Sequence, residues 1–315
     1  MGPVSADTTA RPAAPGVERP PTRDLGVLAV ALLAVSTSGP LIAATVVPAL
    51  AIAFWRNAMA SIVLAPVVLL RRRAELRGLD RRERGLALLA GLLLALHFAT
   101  WIPALSYTSV ASATALVATQ PVWSALIAKL RGEPVNRRVW FGIGVAMSGA
   151  LLLTGADLQV SGRALVGDGL AVVGGLFAAM YMTAGSEVRR SVTTTTYTAL
   201  CYSTTAAVLL VVCLVGGQSL HGYADVDWVK LVALTAGAQL LGHSLFNVVL
   251  KTTSPTIVSL SILFEIPGAA LIAALFVKGQ RVPLLAVPAA ALLVAGLALV
   301  IRAGGRATEP SVPVE

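Results

Sequence analysis

The sequence predicts an all-α integral membrane protein of ten transmembrane helices, arranged as two inverted five-helix repeats. Composition, the spacing of apolar runs and similarity between the two halves carry that reading. Of 315 residues, 57% are hydrophobic and only 12% are charged, against roughly 25% charged in an ordinary soluble domain.

A membrane-crossing helix needs about 20 mostly apolar residues. Ten such runs are separated by charge, proline or glycine clusters: 25–45, 51–70, 85–105, 111–128, 139–156, 164–183, 196–216, 229–250, 255–277 and 283–301. The boundary between the first two is the least marked, because only "VVPAL" around Pro48 signals a turn there.

With ten spans and the N-terminus inside, the basic residues sort by side. Nineteen Lys and Arg fall on the cytoplasmic face, seven of them in "RRRAELRGLDRRER" (71–84), against four outside: Arg163, Lys230, Lys278 and Arg281. This positive-inside bias places both termini in the cytoplasm. The net charge of +9 therefore reads as loop charge rather than a nucleic-acid face. The 71–84 loop reads as a solvated topology anchor that can touch anionic lipid head groups.

Residues 1–24 read as a disordered cytoplasmic tail without a secretory pattern, and 303–315 as a second tail. Cys201 and Cys213 are twelve residues apart on one span, about 18 Å along a helix, too far to pair with each other.

The two halves overlay. At an offset of 146, residues 96–130 lie over 242–276 without a gap, so that His97 meets His243 and Pro121 meets Pro267. One inserted residue then moves the offset to 147, which brings Gly149 over Gly296. The repeats run over 25–156 and 164–302. Because each holds an odd number of spans, the second enters the bilayer from the opposite side, an arrangement that suits alternating access to a midplane site.

Four stretches resemble the EamA-like family of the drug/metabolite transporter superfamily. They are "FWRNAMAS" (54–61), "ALSYTSVASATALVATQPVWSALIAKLRGE" (104–133), "FEIPGAALIAALFVKGQ" (264–280) and the small-residue pattern "AVPAAALLVAGLALVI" in the tenth span. Gln280 stands where that family usually has Glu, and "FVKGQ" carries one extra residue. The resemblance implies an exporter of small polar metabolites, with a central cavity lined mainly by spans 1, 3, 4, 6, 8 and 9. Spans 5 and 10 would be peripheral packing helices or the seam of a homodimer. Gly142, Ala146 and Ala150, and Ala291 and Ala295, place small residues four apart there, as close helix packing needs.

An ionisable residue at membrane depth costs about 2.5–3.5 kcal/mol or more and so needs a partner or a role. Glu265 falls near the midplane of span 9, beside Pro267. That proline should kink the helix and free carbonyls such as that of Leu263 beside the carboxylate. Glu265 is the leading candidate for binding a substrate amine or a proton. Arg56 could bind a substrate carboxylate, pair with Glu265, or snorkel outward with Trp55. His97 and His243 could each carry a proton or be packed by hydrogen bonds. Gln120, Trp101, Tyr107, Tyr181 and Asn247 supply polar edges and aromatic faces for a binding site. Pro121 repeats the kink of Pro267, but Thr119 takes the place of Glu265.

No metal-ligand spacing, phosphate loop or activated nucleophile is present in the sequence, so no cofactor is expected. The reading is a secondary active transporter, an exporter of small polar metabolites such as amino acids, in a bacterial-type inner membrane. The rivals are a drug or cation exporter of the same family, a passive pore, and an intramembrane enzyme.

Overall fold

The computed structural model describes residues 20–108, 110–154, 161–276 and 284–303, and all regular structure among them is helical. In the first half, α1 (Thr22–Val35) and α2 (Ser38–Ala43) are followed by α3 (Ala49–Arg71), the short α4 (Arg73–Gly78) and α5 (Arg81–Tyr107). Then come α6 (Val110–Val117), α7 (Gln120–Leu130) and α8 (Arg137–Thr154). The second half holds α9 (Gly162–Arg189), α10 (Thr194–Val215) and α11 (Asp225–Leu234). A π-helical segment, Thr235–His243, joins α11 to α12 (Ser244–Val249), and α13 (Pro255–Ile262), α14 (Glu265–Phe276) and α15 (Ala286–Ala303) complete the chain.

Eight helical stretches are long and apolar enough to cross a bilayer: 22–43, Ala49–Arg71, Arg81–Tyr107, Gly162–Arg189, Thr194–Val215, 225–249, 255–272 and Ala286–Ala303. At the places of the expected fourth and fifth spans the chain is also helical. There, however, α6 and α7 are two short pieces, and α8 begins with two arginines. The "FVKGQ" segment after Phe276 falls outside the described residues.

Local chemistry fixes the helix starts. Asp80 accepts the backbone N–H of Glu83 while the Glu83 carboxylate accepts that of Asp80, a capping box that opens α5. Ser161 and Ser254 cap α9 and α13 in the same sense, and Pro255 supplies a first helical residue that needs no N–H partner.

Two expectations about the loops are corrected. The first helix starts at Thr22, inside the stretch expected to be a tail, and Asp24 is buried, accepting hydroxyl hydrogen bonds from Thr252 at 2.6 Å and Thr253 at 2.7 Å. Those bonds replace the water a carboxylate loses on burial. The 71–84 loop is not only a run of solvated charge. Glu75 on α4 accepts the N–H of Thr193 at 2.7 Å and the hydroxyls of Thr193 and Thr196 at 2.8 and 2.7 Å, tying the loop to the start of α10.

Three helix pairs form the framework: α5 on α9, α3 on α10, and α8 on α15. The α8–α15 seam is reciprocal. A Cβ on Gly149 would lie 2.7 Å from the carbonyl oxygen of Ala289, and one on Gly296 would lie 2.5 Å from that of Gly142. Shifted by 147 residues, the first contact becomes the second, as a two-fold relation between the halves requires. Ala146 and Ala150 are buried, so the small-residue face of α8 is used within the chain. Ala291 and Ala295 lie exposed on α15, outside that seam.

Candidate functional site: a buried cavity between the two halves

Between the halves lies a cavity of about 80 Å³. On α5, Leu94, His97, Phe98 and Trp101 line it, the i, i+3, i+4, i+7 spacing that puts side chains on one helix face. Opposite stand His243 and Phe246, flanked by Tyr181 and Met182 from α9. The interruptions between α6 and α7 and between α13 and α14 complete the wall, with Gln120 from the first and Glu265 from the second. Span 2 also contributes, through Arg56, whereas the resemblance placed the lining on other spans.

Arg56 does not snorkel outward: it is fully buried. Its Nε donates to Oε1 of Gln239 at 2.8 Å, and its guanidinium carbon stands 4.4 Å from the centre of the Phe98 ring. Gln239 is held in turn by donating Nε2 to Oδ1 of Asn57 at 3.1 Å. Both terminal nitrogens of Arg56 are buried with no hydrogen-bond partner among the described residues. A cation fixed at Nε and on one ring face, with its forked end unused, is prepared for a planar anion such as a carboxylate.

Gln239 lies in the π segment, where each turn is wider than in an α-helix. Its backbone carbonyl accepts the hydroxyls of Ser244 at 3.4 Å and Tyr202 at 3.5 Å. Gly237 and Gly242 lie against α1 and the turn after it. This short segment thus positions Gln239 under Arg56 and His243 on the cavity wall.

At the two interruptions the helix breaks within the turn before each proline, the stretch where a kink was expected. Pro121 and Pro267 each fall in the first turn of a new helix, where a missing N–H costs nothing. The Leu263 carbonyl is not freed, since it accepts the N–H of Ile266 at 3.2 Å. Glu265 instead becomes the first residue of α14, at the positive end of a half-helix. The carboxylate makes no ion pair within 4 Å among the described residues. It shares the cavity wall with Arg56. At the equivalent place Thr119 is locally satisfied: its hydroxyl donates to the Leu116 carbonyl at 2.7 Å and accepts from Trp123 Nε1 at 3.2 Å.

His97 is held by Gly174, whose carbonyl oxygen is 2.9 Å from Nδ1. A carbonyl only accepts, so Nδ1 carries the hydrogen, and whenever the ring is neutral Nε2 is the acceptor. The His97 and Trp101 rings stack at 5.8 Å with 3° between planes. His243 packs edge-on against Phe98, and neither its Nδ1 nor Trp101 Nε1 has a hydrogen-bond partner among the described residues. Gln120 donates Nε2 to the Met182 sulfur at 3.0 Å, a weak acceptor.

Asn247 and Tyr107 lie outside the cavity lining. Asn247 accepts the Tyr181 hydroxyl at 3.0 Å and so orients a lining residue from behind. Tyr107 is exposed at the end of α5, under the Arg163 guanidinium. Gln239, one of the polar residues legible inside the apolar runs, lies behind the lining as the partner of Arg56, a pairing that sequence spacing does not show.

A helical bundle built from two matching halves, enclosing between them a cavity that holds one buried cation and one carboxylate, has the form of a multi-pass membrane transporter. The chain belongs to the EamA-like transporter family, whose sequence profile matches residues 24–155 and 165–302. The fold is also similar to a crystal structure that is 19% identical, with a TM-score of 0.73 over 90% of this chain and 98% of the other. Among curated proteins there is no match.

Proposed function

We propose that the protein is a secondary transporter that exports small zwitterionic metabolites, amino acids among them, by alternating access. On this reading the chain crosses the inner membrane ten times, as two inverted repeats over 25–156 and 164–302, with both termini in the cytoplasm. The reciprocal α8–α15 seam supports two-fold related halves, and the basic loops support that orientation.

One observation carries the substrate class: among the described residues the guanidinium end of Arg56 has no hydrogen-bond partner and the Glu265 carboxylate no ion pair, yet both line the same cavity. A carboxylate on Arg56 and an amine toward Glu265 would satisfy both groups with one small molecule. The apolar faces of Phe98, Trp101 and Phe246 would take the side chain. Release of the amine lets a proton take its place on Glu265, which supplies a coupling step.

A thermal-shift screen of the purified protein against amino acids, sugars, nucleosides and cationic drugs at two pH values tests the reading. Zwitterionic amino acids should raise the melting temperature, and Glu265→Gln should abolish the gain together with counterflow in proteoliposomes. A response to cationic drugs alone would overturn it in favour of a cation exporter with Glu265 as counter-charge. Counterflow unchanged in Glu265→Gln at both pH values would remove Glu265 from the mechanism.

A further inference from the structure

A second chamber, of about 120 Å³, lies at the end of the bundle where α7, α9 and α13 meet the 250–254 connection. Its walls are rich in hydroxyls, among them Ser124, Thr183, Ser186 and Thr256. Its mouth carries both signs of charge. Glu187 accepts from Arg131 at 2.5 Å and stands 3.5 Å from Arg190 and 3.6 Å from Arg82, while Arg131 also reaches Glu133 at 3.4 Å. Lys251 adds a further cation at the rim.

The two chambers stack along the same three helices. On α7, Gln120 lines the central cavity and Ser124 the second chamber; on α9 the pair is Met182 and Ser186; on α13 it is Ser259 and Thr256. Each pair is three or four residues apart, about 4.5–6 Å along a helix, and on α9 Thr183 of the second chamber directly follows Met182 of the first, so at most one turn of side chains separates the two spaces. Within that turn one contact across the gap is the hydrogen bond from Gln120 to the Met182 thioether. A thioether is a weak acceptor on a side chain with several rotatable bonds. The Ser124 hydroxyl is buried there without a hydrogen-bond partner among the described residues.

We propose that the second chamber is the inner vestibule of the transport path, and that the Gln120–Met182 contact is the movable part of the partition between it and the central cavity. This rests on the transporter reading above. Breaking that bond sacrifices little, and the carboxamide it releases, together with the Ser124 hydroxyl, can hydrogen-bond a polar solute in passage. The cations Arg131, Arg190 and Lys251 and the carboxylates Glu133 and Glu187 of the lining admit a molecule that carries both charges without the repulsion a lone anion or cation would meet from one set.

Cysteine accessibility in the full-length, membrane-embedded protein tests the partition. An impermeant methanethiosulfonate bearing trimethylammonium is applied to each face of vesicles in turn, and the parent protein with its buried Cys201 and Cys213 sets the background. Ser186→Cys, half-buried in the chamber wall, should label from one face. From that same face Ala178→Cys, which lies one turn beyond Met182 in the central cavity, should label at least about tenfold more slowly, being reached only through a minor open state. Adding Met182→Ala or Gln120→Ala should bring Ala178→Cys to within about threefold of Ser186→Cys. An unchanged Ser186→Cys rate in those backgrounds shows that the fold is kept, and either background suffices if the other does not insert.

Equal rates at the two positions in the parent, no labelling of Ser186→Cys from either face, or no acceleration in either background would each overturn the proposal. Labelling needs no substrate, so a failed substrate screen with this pattern intact would count against the zwitterion reading and leave the partition standing.

Discussion

Arg56 and Gln239 meet at 2.8 Å across 183 residues of sequence, both fully buried, and this bond joins the first half of the chain to the second at the edge of the cavity. Burying a guanidinium is expensive unless its donors are used. Gln239 uses one of them and Phe98 covers one face, which leaves the forked end as the reactive feature of the site.

Replacing Gln239 by Leu should therefore do more than remove one hydrogen bond. It leaves Nε of a buried cation unsatisfied, a cost of about 1–3 kcal/mol. Thermal unfolding in detergent should show the variant melting earlier, and the response to zwitterionic ligands should be lost because the guanidinium is no longer aimed. A variant as stable as the parent would mean that water or a rotamer change satisfies Arg56 without Gln239.

The α8–α15 seam predicts an asymmetry among glycines. Gly296→Val places atoms against the Gly142 carbonyl and the Ala146 backbone, and overpacking of this kind costs about 1–3 kcal/mol. Gly144→Ala, on the same helix as Gly142 but facing open space, should leave the melting temperature unchanged or raise it slightly, since alanine suits a helix interior better than glycine. Similar melting of both variants would show that the seam gives way more easily than close packing allows.

The features legible in the sequence are those with a long physical reach. Apolar runs of membrane length, the sided distribution of Arg and Lys, and the His97/His243 and Pro121/Pro267 coincidences needed no tertiary information. Seven of the residues read as site candidates, including Glu265, Arg56 and both histidines, line one cavity. They stood out because polar groups inside apolar runs are costly and few. What escaped was set by partners distant in sequence. The π segment around Gln239 follows no spacing rule. The role of Glu75 was hidden in a run of arginines, because its partners, Thr193 and Thr196, are more than a hundred residues away. The prolines read as kinks start new helices, since a break two residues earlier costs less than a strained continuous helix.

Glu75 gives a pH prediction outside the membrane. Partial burial alone would push its carboxyl up, but the backbone N–H of Thr193, the hydroxyls of Thr196 and Thr193 and the Arg72 charge together hold it below the usual carboxylate value. A carboxyl lowered in the folded state stabilises at pH values above its unfolded value and loses that contribution as pH falls through the folded one. Glu75→Gln should thus melt earlier than the parent at neutral pH, by about 1 kcal/mol or less for a solvent-screened group. The two melting curves should converge as pH falls below 4.5. A gap that persists unchanged in acid would assign the loss to packing instead of charge.

Arg56→Lys separates charge from shape at the heart of the site. Lysine keeps the positive charge, but it has no Nε to reach Gln239 in the same fork and no planar face to lie on Phe98. Its strongly hydrated ammonium also fits a dry wall less well than a guanidinium. If Arg56 grips a carboxylate through its two terminal nitrogens, the substitution loses a bidentate pair, worth at least about 1.5–3 kcal/mol for hydrogen bonds to a charged group. Ligand affinity by thermal shift or calorimetry should then fall by roughly tenfold to a hundredfold, while the protein still purifies as a monodisperse species. Full affinity in Arg56→Lys would reduce Arg56 to a source of positive potential and move recognition of the carboxylate elsewhere on the wall, with Trp101 Nε1 and His243 Nδ1 the next donors in line.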